Sequence, residues 1–269
     1  MSWASTDDAT FDGVARTFYK ALLMCRSAPL PYNQAMDNHM SREQNEDKPK
    51  MVELPLFPLN TVLFPGVPIS LHIFEERYKE MVEMCLASQT PFGVVLSRED
   101  EDSYGIPADP TLTGTSAQIT QVERLADGRM NIVAGGLERF QVTSLRYDRP
   151  YLMGTGEPFP ISGEDSFSAE RASDSLRPWV ERYLEILTLA ADEDVDFQTA
   201  QLPDDPLSLG YLAAALVQIP VEQKQSLLDA SEATALLRQV RRIYTREVPL
   251  LQRMLDAEEA PMVGSFSLN

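Results

Sequence analysis

Histidine is the side chain best suited to moving protons near neutral pH, and the chain holds two, His39 and His72. Neither has a catalytic partner at a recognisable spacing. His72 lies between Leu71 and Ile73 in a strand-like run, and a structural or surface role is expected for it. Two cysteines, Cys25 and Cys85, are too few for a disulfide framework or a four-cysteine zinc site. Cys85 falls on the apolar face of a helical stretch and reads as a packed thiol. There is no G-x-x-x-x-G-K-[ST], H-E-x-x-H, G-x-S-x-G or C-x-x-C pattern. Adjacent acids such as Glu75-Glu76 and Asp204-Asp205 carry no acid–base signal by spacing, because catalytic carboxylates meet through the fold. No catalytic residue, cofactor or metal is expected.

What remains are surfaces. Phe57-Pro58-Leu59 and Phe64-Pro65-Gly66 place large apolar groups beside turns. Such groups serve as core, or they line an apolar groove that holds extended peptide. Phe74-Glu75-Glu76-Arg77-Tyr78 adds charge and aromatics at the start of a helix, where acids are favoured by the helix dipole. Phe57, Phe64, Phe74, Glu75, Glu76, Arg77 and Tyr78 are the candidate peptide-binding residues.

The charge narrows the partners. The 269 residues carry 23 Lys and Arg against 41 Asp and Glu, a net charge of −18. Residues 51–269 hold 17 of the basic and 34 of the acidic groups, so the excess belongs to that part of the chain. Phosphate contacts need clustered Lys and Arg, which argues against nucleic acid and against anionic membrane as partners. No uncharged apolar run is long enough to span a bilayer. The amino-terminal residues lack the basic start and apolar core of a signal peptide, so a cytoplasmic location is expected.

The elements that must position these residues change character along the chain. Residues 1–50 read as a largely disordered extension, with a helix-spaced apolar stripe (Phe11, Val14, Ala15, Phe18, Tyr19, Leu22, Leu23) and a polar linker at 41–50. Residues 52–57, 62–64 and 69–73 are strand-like, with Pro55, Pro58, Pro65 and Pro68 predicting short or edge strands. Residues 75–88 are predicted helical, with Tyr78, Met81, Val82 and Cys85 on one face. Strands are predicted at 92–96, 115–125, 130–134, 137–145 and 151–159, with Asp127-Gly128 as a hairpin turn and Gly135-Gly136 as a break. An acidic exposed loop is predicted at 98–110. Beyond a joint at 160–168 the period becomes helical. Pro178 is predicted to start or kink a helix, Asp205-Pro206 to cap one, Pro220 to open one, and Ser231 to cap a last helix that Pro249 kinks. The organisation is an extension (1–50), a β domain (51–160), a helical bundle (166–257) and a tail (258–269), an α+β fold.

Several of these pieces, in register, resemble the N-terminal substrate-binding domain of Lon proteases. They are residues 53–59 (ELPLFPL), 62–66 (VLFPG), 68–73 and 74–78 (FEERY), then Gly114-Thr115, Ile119, Leu125–Arg129 (LADGR), Ile132, Gly135-Gly136 and Arg139-Phe140. The resemblance runs over roughly 51–257. It implies a PUA-like β-barrel with one helix, followed by an α-helical bundle. It implies binding of unfolded or extended polypeptides, as an adaptor or chaperone-like factor in protein quality control, with a separate ATP-dependent protease as a possible partner. Without a phosphate loop the chain resembles the stand-alone form of this domain, and neither ATPase nor peptidase activity is expected. Two other readings stay open. One is a small-molecule enzyme using the barrel mouth or the interdomain joint. The other is a self-association module in which Leu237, Val240, Tyr244, Val248 and Leu251 of the last helix are partly exposed.

Overall fold

The computed structural model describes residues 51–97, 112–190 and 202–258. The predicted extension at 1–50, with its apolar stripe, Cys25 and His39, lies outside the described residues, as do the acidic loop at 98–110 and the tail from 259 onward. The described elements are β1 (Val52–Leu59), β2 (Pro68–Ile73), α1 (Glu76–Ser88), β3 (Phe92–Leu96), β4 (Thr113–Arg124), β5 (Met130–Arg146), β6 (Leu152–Pro158), α2 (Phe167–Ala190), α3 (Pro206–Leu216), α4 (Val221–Leu228) and α5 (Ala233–Glu258). The fold is α+β, with a six-stranded sheet followed by helices.

The strand order is β2-β5-β4-β3-β1-β6, and β6 pairs with β5 as well. β1 is not an edge strand, contrary to the expectation from its prolines. Its first half pairs antiparallel with β6, Val52↔Gly156 to Leu56↔Leu152, and its second half parallel with β3, Leu56↔Gly93 to Leu59↔Leu96. Each half therefore has one neighbour, and a proline is tolerated where its nitrogen turns to the unpaired side. β3 is buried at every position, as a continuous apolar run predicts.

Two predicted breaks are corrected. Residues 62–64 form no strand; they belong to a loop folded onto the sheet, where the Thr115 hydroxyl donates to the Leu63 carbonyl at 2.6 Å. Gly135-Gly136 does not divide the following strand, because β5 runs unbroken through both glycines. Gly136 is there to admit the loop. A Cβ on it would sit 2.4 Å from the Phe64 carbonyl oxygen. Its N–H donates to the Val67 carbonyl at 3.0 Å, and its carbonyl accepts from Gly66 N–H at 2.9 Å. Gly66 itself has φ +74°, the conformation the Pro65-Gly66 turn requires.

Helix α3 begins where the sequence signals place it, and α4 follows Pro220 directly, whereas α5 starts at Ala233, two residues beyond the predicted cap Ser231. Asp205 Oδ2 accepts from Ser208 N–H at 2.7 Å, with Pro206 at the first helical position of α3. Ser166 Oγ accepts from Ala169 N–H at 3.1 Å and opens α2. Pro178 is interior to α2 and does not start it, and Pro249 is likewise interior to α5. The Ser231 carbonyl accepts both the N–H and the hydroxyl of Ser162, at 2.9 and 2.8 Å, tying the entry of α2 to the entry of α5. The two helices therefore start together and run parallel, with Tyr183 edge-on to Tyr244 at 5.2 Å.

The larger of two apolar clusters reaches from Phe64 and Ile132 in the strand region to Tyr211, Leu237 and Tyr244 in the helices. Leu237, Val240, Tyr244 and Val248 are all buried in it, which corrects the expectation that they are partly exposed. Leu251 is partly buried, and the exposed apolar residues of α5 are Leu250 and Met254. A second, smaller cluster holds Leu54, Leu56, Val95, Phe140, Val142 and Leu152.

Lys224 of α4 reaches the carboxyl end of α3, where its Nζ donates to the Ala215 carbonyl at 2.8 Å. Burial pushes its pKa down to about 8 from 10.5. Between those values the unfolded chain binds more protons than the folded one, so this group makes stability rise with pH across the window and exerts its full cost below it. Relative to Lys224→Met, the native chain is expected to gain stability as pH goes from about 8 to about 10.5. Urea unfolding of both proteins over that range checks this; parallel pH profiles would contradict it.

Candidate functional site

The amino-terminal turn of α1 brings together five of the seven candidate residues. Glu75 is extended (φ −77°, ψ 135°), and its side chain makes no cap bond to the helix. Its carboxylate instead holds Arg77, Oε2 accepting from Nε at 2.9 Å and lying 2.8 Å from Nη2. The Arg77 guanidinium carbon stands 4.8 Å from the centre of the Tyr78 ring. Tyr78 points inward and stacks at 4.2 Å on Phe57, which in turn lies 6.3 Å from Phe92. Burial raises the Tyr78 hydroxyl pKa, so the phenol stays protonated. Glu76 extends outward and pairs with Lys79 at 2.8 Å. Phe74 is 51% exposed, an unusual exposure for a phenylalanine.

The site is thus layered. Phe74 and Glu76 are at the surface, Glu75 and Arg77 are half-buried, and Tyr78 and Phe57 are the apolar floor. Phe64 is not brought into this group. It is fully buried and packs 6.0 Å from Tyr211 of α3. Its ring reaches no surface, and its role is to seat the 62–67 loop on the helices.

A polar ladder lies beside Phe74, across the outer face of β2, β5 and β4. The His72 ring is 6.2 Å from Phe74. Arg129 Nη1 contacts His72 Nε2 at 3.2 Å and can only donate, so Nε2 accepts. Nδ1–H then donates to Asn131 Oδ1 at 2.7 Å, and Asn131 Nδ2 donates to Glu123 Oε2 at 2.9 Å. Arg129 also bonds Asp127 in the hairpin, its Nε 2.6 Å from Oδ2. The Arg129 backbone N–H, together with its guanidinium, holds the Asp127 carboxyl below the usual carboxylate range. His72 is therefore a surface residue in a hydrogen-bonded chain. The Glu123↔Asn131 pairing follows from the Asp127-Gly128 hairpin; the approach of His72 depends on β2 joining β5, which no local signal announces.

Among the described residues no group of His, Cys, Asp and Glu is arranged to hold a metal ion, and no helix is long and apolar enough to cross a membrane. Cys85 is buried, and burial pushes its thiol up to about 11, so it is a packed, unreactive thiol.

Comparison with known proteins places the chain in a family. The chain is 29% identical over 212 residues to a Lon protease of Anaeromyxobacter dehalogenans, covering 77% of this chain and 24% of that protein. It is 24% identical over 210 residues to the Lon protease of Escherichia coli, covering 77% and 26%. The chain thus spans about a quarter of the length of the curated relatives it matches. Among solved structures, the N-terminal domain of a Mycobacterium avium complex Lon protease aligns with TM-score 0.56 at 18% identity, over 72% of this chain and 99% of that one, and shares its fold. A Lon N-terminal domain protein from Xanthomonas campestris is 27% identical, with TM-score 0.49, over 70% and 96%. Residues 53–246 match the model of the ATP-dependent protease La (LON) substrate-binding domain, and the chain belongs to that family.

Proposed function

We propose that this protein is a non-catalytic binding module for unfolded or extended polypeptides, acting in protein quality control in the cytoplasm. The observation that carries the reading is the family match over residues 53–246, a region that in the matching model is the part that binds substrate. The reading extends to an adaptor or chaperone-like role, with clients passed to a separate ATP-dependent protease and no nucleic-acid or membrane partner. The ring of pairings from β5 through β4, β3, β1 and β6 back to β5 supports a PUA-like barrel, with α2 to α5 as a second, helical unit from about residue 166.

The contact surface in this reading is the turn around Phe74, with Glu75, Glu76 and Arg77 beside it and Tyr78 on Phe57 beneath. An exposed aromatic on a rigid helix entry is a low-entropy anchor for an apolar side chain. Phe74→Ser is expected to weaken client binding on the order of tenfold, about 1.4 kcal/mol, with an unchanged melting temperature because the ring contributes little to the core. A photo-crosslinking residue placed at Phe74 is expected to capture reduced, carboxamidomethylated lysozyme, whereas one placed at exposed Glu181 of α2 is not. Equal capture at both positions would remove the site. Casein degradation or ATP turnover by the purified protein would contradict the non-catalytic reading.

A further inference from the structure

We propose that the open edge of β2 is the line along which an extended, basic polypeptide segment docks, adding to the sheet as a further strand. This names the binding mode within the client-binding reading above and rests on it.

β2 stands at the end of the strand order, and among the described residues it pairs with β5 alone, whereas every other strand has two neighbours or more. The phase of its ladder follows from Gly136 N–H donating to the Val67 carbonyl. In an antiparallel pair, residues bonded across the ladder alternate with residues whose backbone groups point the other way. The register is regular from Pro68↔Gly135 to Ile73↔Met130, so Ile69, Leu71 and Ile73 follow Val67 in bonding to β5. The carbonyls of Pro68, Ser70 and His72 and the N–H groups of Ser70 and His72 therefore face outward. Proline, which has no N–H to offer, occupies one of these outward positions, as edge strands allow.

Proteins ordinarily guard such an edge with charged side chains, bulges or a covering element. β2 reads PISLHI, without a charged residue, and its pairing contains no bulge. Ser70 and His72 are exposed, and Phe74 continues the same line as an exposed ring beside His72. An added strand would gain main-chain hydrogen bonds along the edge and an apolar contact at its end.

The charge chooses the occupant. A second copy would bring two bodies of net charge −18 together edge to edge, which their repulsion opposes. A segment carrying Lys or Arg is attracted by the same field, and its binding should weaken as salt rises.

The test uses the full chain and a short labelled peptide alternating Val and Lys, together with copies N-methylated at one backbone position each. Strand addition predicts a period of two: methylation at every second position abolishes binding, and methylation at the positions between leaves it within about twofold. Ser70→Pro removes an outward N–H without touching the bonds to β5, and is expected to weaken binding on the order of tenfold with unchanged far-ultraviolet circular dichroism. If that variant does not fold, the methylation series on the native chain decides alone. A peptide that binds with no two-residue period overturns the edge proposal and leaves the client-binding reading intact. Failure of both this peptide and unfolded lysozyme to bind overturns both. A concentration-dependent dimer that the peptide does not dissociate and that Ser70→Pro abolishes would assign the edge to a second copy and overturn the occupant proposed.

Discussion

Phe140→Ala is expected to lower the free energy of unfolding by ~3–5 kcal/mol, a large share of what a domain of this size has. Phe140 is 5% exposed and anchors the smaller apolar cluster with Leu54, Leu56, Val95, Val142 and Leu152. Its ring fills space that three glycines leave open. A Cβ on Gly93, Gly114 or Gly156 would lie 2.6, 2.8 or 2.7 Å from a Phe140 ring atom. Those glycines come from β3, β4 and β6, so one ring closes the packing of three strands around its own. Alanine in its place leaves a cavity between those glycines and the side chains of the cluster. The converse substitution is informative. Gly156→Ala alone should cost ~1–3 kcal/mol by overpacking. Combined with Phe140→Leu it should cost less than the sum of the two single changes, because the shorter side chain yields the room the methyl needs. Urea unfolding of the four proteins of this cycle measures the coupling, and strict additivity would contradict the packing described.

Arg139→Ala is expected to cost ~2–4 kcal/mol, with most of the damage confined to the join between strands and helices. Arg139 is on β5, next to Phe140, and is 4% exposed. Its Nη1 donates to the carbonyls of Leu228 and Ala230, the latter at 2.6 Å, and its guanidinium lies over the Phe159 ring at 4.8 Å. These carbonyls close the carboxyl end of α4, where a cation is favoured by the helix dipole and where no helical N–H remains to satisfy them. Gln225 of α4 reinforces the contact, its Nε2 donating to the Thr113 carbonyl of β4 at 3.1 Å and to Asp229 at 2.9 Å. Burial lowers the Arg139 pKa, the attraction of Asp229 opposing it, so part of the gain from these bonds is offset by desolvation. That is why the expected loss is a few kcal/mol and not the sum of two charged hydrogen bonds. Hydrogen exchange should locate the effect: α4 amides lose protection, while the β4–β5 ladder keeps it. Uniform loss across both would mean that Arg139 serves the fold as a whole and not this junction. Lysine should not restore the full native value, since an ammonium lacks the flat guanidinium face that lies over the Phe159 ring.

Much of the architecture is legible in the sequence because the signals are local. Asp205-Pro206 caps α3, Asp127-Gly128 turns the β4–β5 hairpin, and the all-apolar run of β3 is buried as a whole. What escapes is set by pairing between distant segments. Pro55 and Pro58 suggest an edge, yet β1 has a neighbour on each side because each half uses only one. Gly135-Gly136 suggests a break, yet β5 runs through both, and Gly136 is there to let the 62–67 loop approach β5. The last helix is apolar at a helical period that does not say whether it meets its own chain or another copy, and packing on α2 and α3 answers that. The seven candidate binding residues follow the same rule. Residues 74–78 are contiguous and share a helix entry, so they stay together, with Phe57 beneath them through its stack on Tyr78. Phe64, chosen for a similar turn context, faces the helices, and no local pattern distinguishes it from Phe74.

The acidic balance joins the fold to the proposed function. With 17 basic and 34 acidic residues from position 51 onward, the proposed reading has this part of the chain disfavour nucleic acid and favour basic clients. Long-range attraction of this kind raises association rates more than it raises affinity, so in the proposed reading discrimination between folded and unfolded clients rests on short-range contacts such as Phe74 and the β2 edge.

Equilibrium binding of labelled lysozyme, native and after reduction and carboxamidomethylation, tests the central claim most directly, because both forms are basic and only one is unfolded. Fluorescence anisotropy at low salt should show saturable binding of the unfolded form, weakening as salt rises, and on the order of tenfold or more weaker binding of the native form. Equal affinity for both forms would mean that charge alone drives association, and no binding of the unfolded form would mean that this chain does not hold unfolded polypeptides.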